Sequence, residues 1–194
     1  MEAMRRGAEG RLAEIAGSSA LRLDRFSRTL GLAESARADF AALSPEARDL
    51  LEAYADGVNA RIAARGMMSA PEFLVLGEPE PWKPEHSLLW GRVMGLWLSG
   101  SWPPEGLRRI LARVPAFGED APLPDSASNA WAVTGARSAS GAPLLATDPH
   151  LGFQAPILWY LARIELPGGR FRAGATAPGV PAVVIGRNER LAWG

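Results

Sequence analysis

Ser128 and His150 are the two side chains in this 194-residue sequence around which nucleophilic chemistry can be argued. Ser128 lies in Asp125-Ser126-Ala127-Ser128-Asn129-Ala130-Trp131, where a polar loop gives way to an apolar run. A serine hydroxyl attacks an amide poorly unless a base takes its proton. His150 follows 22 positions later, in Thr147-Asp148-Pro149-His150-Leu151. On residue type alone each has a plain structural reading. A serine in a polar loop serves as a turn or cap residue, and a lone histidine at a strand end serves as a hydrogen-bonder. Other chemistries are excluded. With no cysteine there is no thiol nucleophile, no Cys-ligated zinc or iron–sulfur centre, and no disulfide scaffold. His86 is the second histidine, 64 positions from His150, so no multi-histidine metal site can be assembled within the chain. Beside Lys83-Pro84-Glu85, His86 reads as a surface residue at the start of a helix, with no functional role.

Composition narrows the class further. Hydrophobic residues make up 47% and charged residues 22%, enough apolar mass to bury a core and too little charge for a disordered chain. Basic and acidic residues balance at 21 each, for a net charge of zero. A protein that binds nucleic acid by neutralising phosphates would be strongly basic, so that partner is disfavoured. No apolar run approaches the ~18–20 residues of a membrane span.

The elements that must position Ser128 and His150 change character along the chain. From Glu2 to about Arg65 the pattern is helical. Met4, Leu12 and Ile15 recur at helical spacing, followed by Leu21, Leu23, Phe26 and Leu30, with Gly17 and Gly31 as stops. Ser44-Pro45-Glu46 is a helix start: a capping hydroxyl, a proline where its missing N–H costs nothing, and an acid at the positive end of the helix dipole. Leu51, Tyr54, Val58 and Ile62 then mark one face. Prolines at 71, 79, 81 and 84 forbid a long helix through the next stretch. Ser87 to Leu98 is a third helix, apolar nearly all round and therefore buried on several sides, with Met94 and Leu98 one turn apart on a shared face. A short helix is expected from Glu105 to Val114 and a loop from Pro115 to Ala127. After Ser128 the period falls toward two. Strands are expected over Ala130–Thr134, Leu144–Thr147, Ile157–Glu165, Arg172–Thr176, Val183–Ile185 and Leu191–Trp193, separated by Gly, Pro and Asn turn signals. Helices followed by antiparallel strands make an α+β protein.

These blocks, in this order, resemble the penicillin acylase family of N-terminal-nucleophile hydrolases. Ser128-Asn129-Ala130-Trp131-Ala132-Val133 resembles the opening of that family's mature β chain. Ala146-Thr147-Asp148-Pro149-His150-Leu151 resembles its N/D-P-H-L element. Gly174-Ala175-Thr176 to Pro181, and Gly186-Arg187-Asn188 to Gly194, match its later blocks. Arg5-Arg6, Gly10-Arg11-Leu12-Ala13-Glu14, Arg25-Phe26 to Gly31-Leu32, Ala53-Tyr54 to Gly57-Val58-Asn59-Ala60, and Glu80-Pro81-Trp82 resemble its α chain. The resemblance covers essentially the whole sequence. It implies an αββα hydrolase fold, with residues 1–114 as a mostly helical α-chain part truncated at its start, 115–127 as a spacer ending at a processing site, and 128–194 as the truncated beginning of a β chain. The α and β chains of one processed precursor would then be each other's partners. The sequence on this reading is a fragment, complete in its nucleophile and lacking the oxyanion donors of its relatives. Its compartment is unknown from the residues, and periplasmic by resemblance.

The implied activity is amide hydrolysis, releasing the acyl chain of a small-molecule acyl amide: a β-lactam antibiotic or an N-acyl-homoserine lactone. Scission before Ser128, autocatalytic in this family, would leave the serine with a free α-amine. That amine has a pKa of ~7.7–8.0 and so can act as the base at neutral pH, which an amide nitrogen cannot. The resemblance places His150 beside the nucleophile, orienting or tuning its amine and hydroxyl. It sets Met94, Leu98, Leu151 and Ile185 against the acyl group. All four are apolar, which fits an aromatic or aliphatic acyl chain better than an anionic one. No cofactor is implied for catalysis. Glu105 matches an acid that contributes to a structural calcium site in relatives, although calcium takes six to eight oxygens and one carboxylate cannot hold it. The alternative from a different class is a non-catalytic descendant of the family, acting as a binding or assembly module through the apolar helix that starts at Ser87.

Overall fold

The structure is a computed structural model, and it describes residues 1–98, 128–150 and 157–194. Helices precede antiparallel strands, so the chain is α+β as expected. It divides into two compact units: Met1–Gly95 with Gly179–Pro181, and Leu96–Pro178 with Ala182–Gly194.

In the first unit, α1 (Glu2–Glu9) ends at Gly10, whose φ of 71° lets its N–H return to the carbonyls of Arg6 and Gly7. A Cβ at Gly10 would run into Arg28 and the Asp24 carbonyl, so only glycine fits. The helical spacing of Met4, Leu12 and Ile15 therefore does not mark one continuous helix. The chain breaks at Gly10, and α2 (Ala13–Ala16) begins anew. Its free N–H groups are satisfied from a distance: the buried Asp24 carboxylate accepts from Leu12 N at 2.8 Å and Ala13 N at 2.9 Å. Asp24 belongs to α3 (Leu21–Leu30), which ends as expected at Gly31 in the left-handed conformation. The face α3 buries is not the leucine face, however. Asp24 and Ser27 are buried while Leu21, Leu23 and Leu30 are exposed, because the polar bonds of Asp24 and Arg28 to the Gly10–Ala13 break fix the helix rotation.

After α4 (Leu32–Ala42), α5 (Pro45–Arg65) starts where the sequence places it. The Ser44 hydroxyl accepts the Ala47 N–H at 3.3 Å and Pro45 takes the first turn. Glu46's carboxylate is held below its usual range by a backbone N–H and by the Ser44 hydroxyl. Leu51 is buried, and Tyr54, Val58 and Ile62 of the same face are half-buried. A short α6 (Phe73–Leu76) leads to α7 (Pro84–Leu98), one turn earlier than the Ser87 start read from sequence. The cause is His86. Its Nδ1 accepts the Lys83 N–H at 2.9 Å, capping the helix from the inside, while Nε2 lies 3.2 Å from Glu9 Oε1. His86 is only 3% exposed, so it is a core residue and not a surface one. Its ring also meets Trp82 edge-on, with centroids 5.1 Å apart. Trp82 is fixed by Asn59 of α5, which donates to the Trp82 carbonyl at 2.9 Å and accepts its N–H at 2.7 Å. Trp82, Leu89, Trp90 and Val93 form the apolar core.

Arg5, Arg6 and Arg11 converge on Glu80 at 3.1, 2.8 and 2.7 Å. The hydrogen bond from Arg11, and then the charges of Arg5 and Arg6, pull the Glu80 carboxyl down to about 2. Burial pushes Glu9 upward, but the His86 contact and the charges of Arg5 and Arg11 leave it below its ordinary value. Glu2 and Glu14 complete this network. Residues spaced 75 positions apart in sequence are thereby tied together by charge-assisted bonds.

In the second unit, β1 (Asn129–Val133) pairs antiparallel with β2 (Leu144–Asp148). A second antiparallel sheet orders β3 (Tyr160–Leu166), β4 (Arg170–Thr176), β5 (Ile185–Arg187) and β6 (Ala192–Trp193) side by side. The expected Pro167-Gly168-Gly169 turn joins β3 to β4, with Gly168 at φ 77°.

Candidate active site

The β1–β2 hairpin brings Ser128 and His150 together. Its register sets Asn129 opposite Asp148, so the residue before β1 lies beside the residues that follow β2. The backbone N–H of His150 donates to Ser128 Oγ at 3.0 Å. His150 thus meets the serine through its main chain. Its ring turns to Asp148, with Nε2 and Oδ2 2.8 Å apart. The turn between the strands is closed by Ser138, whose hydroxyl donates to the Ala142 carbonyl at 2.6 Å. Ser128, Asp148 and His150 are all exposed.

An N–H donated to a hydroxyl oxygen leaves the O–H free to point elsewhere and favours negative charge on that oxygen. The contact therefore orients a nucleophile but supplies no base. Any base for this hydroxyl has to be a different group near Oγ.

Ile185 of β5 lies half-buried in the second unit. It lines an open depression of about 410 Å³ with Leu145, Thr147, Ala173, Gly174 and Trp193. Side chains alternate along a strand, and directly paired residues share a face, so Ala130 and Thr147 project together. Carried one residue back from β1, the same alternation sets Ser128 on that face. Trp193, which also lines the depression, donates its indole N–H to the Val183 carbonyl at 3.0 Å.

Met94 sits half-buried on α7 in the first unit, and Leu98 is the last residue of the same helix, its side chain outside the described atoms. Leu151 and Glu105 lie outside the described residues. Among the described residues no group of three or more His, Asp or Glu side chains is placed to hold a metal ion.

The sequence model of the penicillin amidase family matches residues 1–194, the whole of this chain. The chain belongs to the penicillin amidase family. Among its curated relatives, the penicillin acylase 2 proenzyme of Pseudomonas sp. is 35% identical, over 93% of this chain and 29% of that protein. The acyl-homoserine lactone acylase QuiP of Pseudomonas aeruginosa is 33% identical, over 100% of this chain and 28% of that protein. The acyl-homoserine lactone acylase PvdQ of Pseudomonas fluorescens is 29% identical, over 96% of this chain and 26% of that protein. The chain spans less than a third of the length of the curated relatives it matches. Membership in the penicillin amidase family accounts for the order of the blocks, and no helix among the described residues is long and apolar enough to cross a membrane.

Sequence reasoning passed over two features of this site. Asp148 stands inside the same short motif as His150, and its i, i+2 spacing at a strand end was the signal for an ion-paired ring. Thr147 and Trp193 stand in separate family blocks, and that both line the depression is a matter of sheet packing that no local spacing reveals.

Proposed function

We propose that the protein carrying this chain is an amide hydrolase of the N-terminal-nucleophile type, activated by scission between Ala127 and Ser128. One observation carries the proposal: in a penicillin amidase chain, Ser128 directly precedes β1 with its hydroxyl bonded by the His150 N–H at 3.0 Å. A relative named a proenzyme supports the processing step.

Before scission Ser128 carries a non-basic amide nitrogen. Scission turns it into an α-amine with a pKa of ~7.7–8.0, a useful fraction of which is unprotonated at neutral pH. This amine takes the Oγ proton, directly or through one water, and Oγ attacks the substrate carbonyl carbon. The amide C–N bond then breaks, the leaving amine collects the proton, and the acyl chain stays as an ester on Ser128. Water attacks that ester with the α-amine accepting its proton, the C–Oγ bond breaks as the amine returns the proton to Oγ, and the free acid departs. The His150 N–H keeps Oγ oriented and stabilises negative charge as it develops there. Asp148 holds the His150 ring by its Nε2, leaving Nδ1 as the nitrogen that faces away from the carboxylate.

Met94, Leu98, Leu151 and Ile185 are assigned to acyl-group binding in this proposal on the family resemblance, and their apolar character favours an aliphatic or aromatic acyl chain. The names of the relatives support penicillin-type amides and N-acyl-homoserine lactones as substrates. The reaction draws on no cofactor, and the compartment is the periplasm. The test is the mass of the protein and of its Ser128→Ala variant. The expected result is two pieces divided between Ala127 and Ser128 in the first and one intact chain in the second, with hydrolysis of a panel of acyl amides by the cut form only. An uncut protein that hydrolyses the panel at full rate overturns the proposal.

A further inference from the structure

Once the bond before Ser128 is broken, only non-covalent contacts keep the two products together. Three residues from the second product, Gly179–Pro181, belong to the first, helical unit. Gly179 is buried, and its N–H donates to the Tyr54 hydroxyl of α5 at 2.9 Å. Its φ of +108° is a conformation open to glycine alone. A Cβ at this position would collide with the Trp90 indole and crowd Trp82 at 3.3 Å. The backbone itself, with no side chain between, is what packs on the two tryptophans.

The receiving surface is built entirely by residues before the scission point. Asn59 grips Trp82 through two main-chain bonds, the Trp82 indole N–H donates to Ser87 Oγ at 3.3 Å, and His86 meets the ring edge-on. Trp82 and Trp90 are 4% and 3% exposed. The inserted segment is stiffened on both sides by Pro178 and Pro181, which lowers the entropy lost when it docks. A pre-formed aromatic seat, one directed hydrogen bond and a stiff glycine loop make a matched pair.

We propose that the Pro178–Pro181 loop is the anchor by which the 128–194 product stays bound to the 1–127 product, with Tyr54, Trp82 and Trp90 as its seat. The proposal rests on the scission reading only for its biological timing. It is testable without self-cleavage. In the 194-residue chain carrying Ser128→Ala, a specific protease sequence placed within residues 119–125 allows the cut to be made in trans. The two pieces are expected to co-elute on size exclusion after the cut. With Gly179→Leu they are expected to separate. Tyr54→Phe keeps the ring and removes one hydrogen bond, so re-association is expected to weaken about fivefold. Circular dichroism of each uncut variant checks that it has folded; if Gly179→Leu has not, Tyr54→Phe decides. The anchor is overturned if wild-type pieces part after the cut, or if both variants hold their pieces as tightly as the wild type. Failure of autocatalysis would touch neither outcome, so the two proposals fail separately.

Discussion

The helical unit and the β1–β2 hairpin distribute their polar groups in opposite ways. In the helical unit charged side chains share several partners each: Arg5 is 2% exposed, and Glu80 takes bonds from three arginines. In the hairpin Ser128, Asp148 and His150 are exposed, and the serine is held by one main-chain N–H. The first arrangement ties each side chain to several partners, and the second leaves the serine oxygen with one. Under the proposed function the serine hydroxyl must be reachable by substrate and free to lose its proton, so it cannot be locked in a network of that kind. Rigidity is supplied instead by the antiparallel register, which costs no side-chain freedom.

The comparison breaks if activity and stability do not separate between the two regions. Ser128→Ala gives the largest expected effect, a loss of at least ~10⁴-fold in hydrolysis. Its thermal unfolding should match the wild type by calorimetry, because the lost hydroxyl is exposed. Trp90→Ala acts in the other region. Removing a buried indole is expected to cost about 3–5 kcal/mol in urea unfolding, and an unchanged midpoint would show that the tryptophan seat is not the core of the helical unit.

Glu80→Gln sharpens the electrostatic half of the comparison. It is expected to lower stability at pH 7 by about 1 kcal/mol, since hydrogen bonds to charged partners are lost but a carboxylate one-third exposed is screened by solvent. The sign with pH follows from the direction of the shift. Glu80's folded pKa is depressed to about 2 from an ordinary 4.5, so its contribution is complete above about pH 4.5 and disappears as pH falls toward 2. Unfolding measured across that window should show a steeper acid loss for wild type than for Glu80→Gln. The smallest effect is expected from Asp148→Asn, about a tenfold fall in kcat with KM and stability unchanged, restored in part by Asp148→Glu. The ¹⁵N shifts of the His150 ring report its tautomer directly, and an identical spectrum in Asp148→Asn would remove Asp148 from a positioning role.

Much of the backbone was legible from local chemistry. Ser44-Pro45 marked the start of α5, Gly31 the end of α3, and Pro167-Gly168-Gly169 the β3–β4 turn, because caps and turns depend on groups a few residues apart. Where a distant partner intervened, local spacing misled. The leucines of α3 face outward because Asp24 is needed at the Gly10 break. His86 is buried because Glu9, Lys83 and Trp82 surround it. At the site, sequence alone singled out Ser128 and His150 by type and family motif.

What the sequence determined by itself was therefore the kind and order of elements, the family blocks, and the serine–histidine pair. Tertiary structure alone decided that His150 meets Ser128 through its main chain, that Asp148 takes the ring, that three arginines share Glu80, and that Gly179 sits on Trp90. The reason is the range of the forces involved. Helix caps, turns and strand alternation are set by neighbours along the chain, whereas register, burial of charge and glycine-on-tryptophan packing join residues up to 125 positions apart. Those contacts exist only once the backbone has closed on itself.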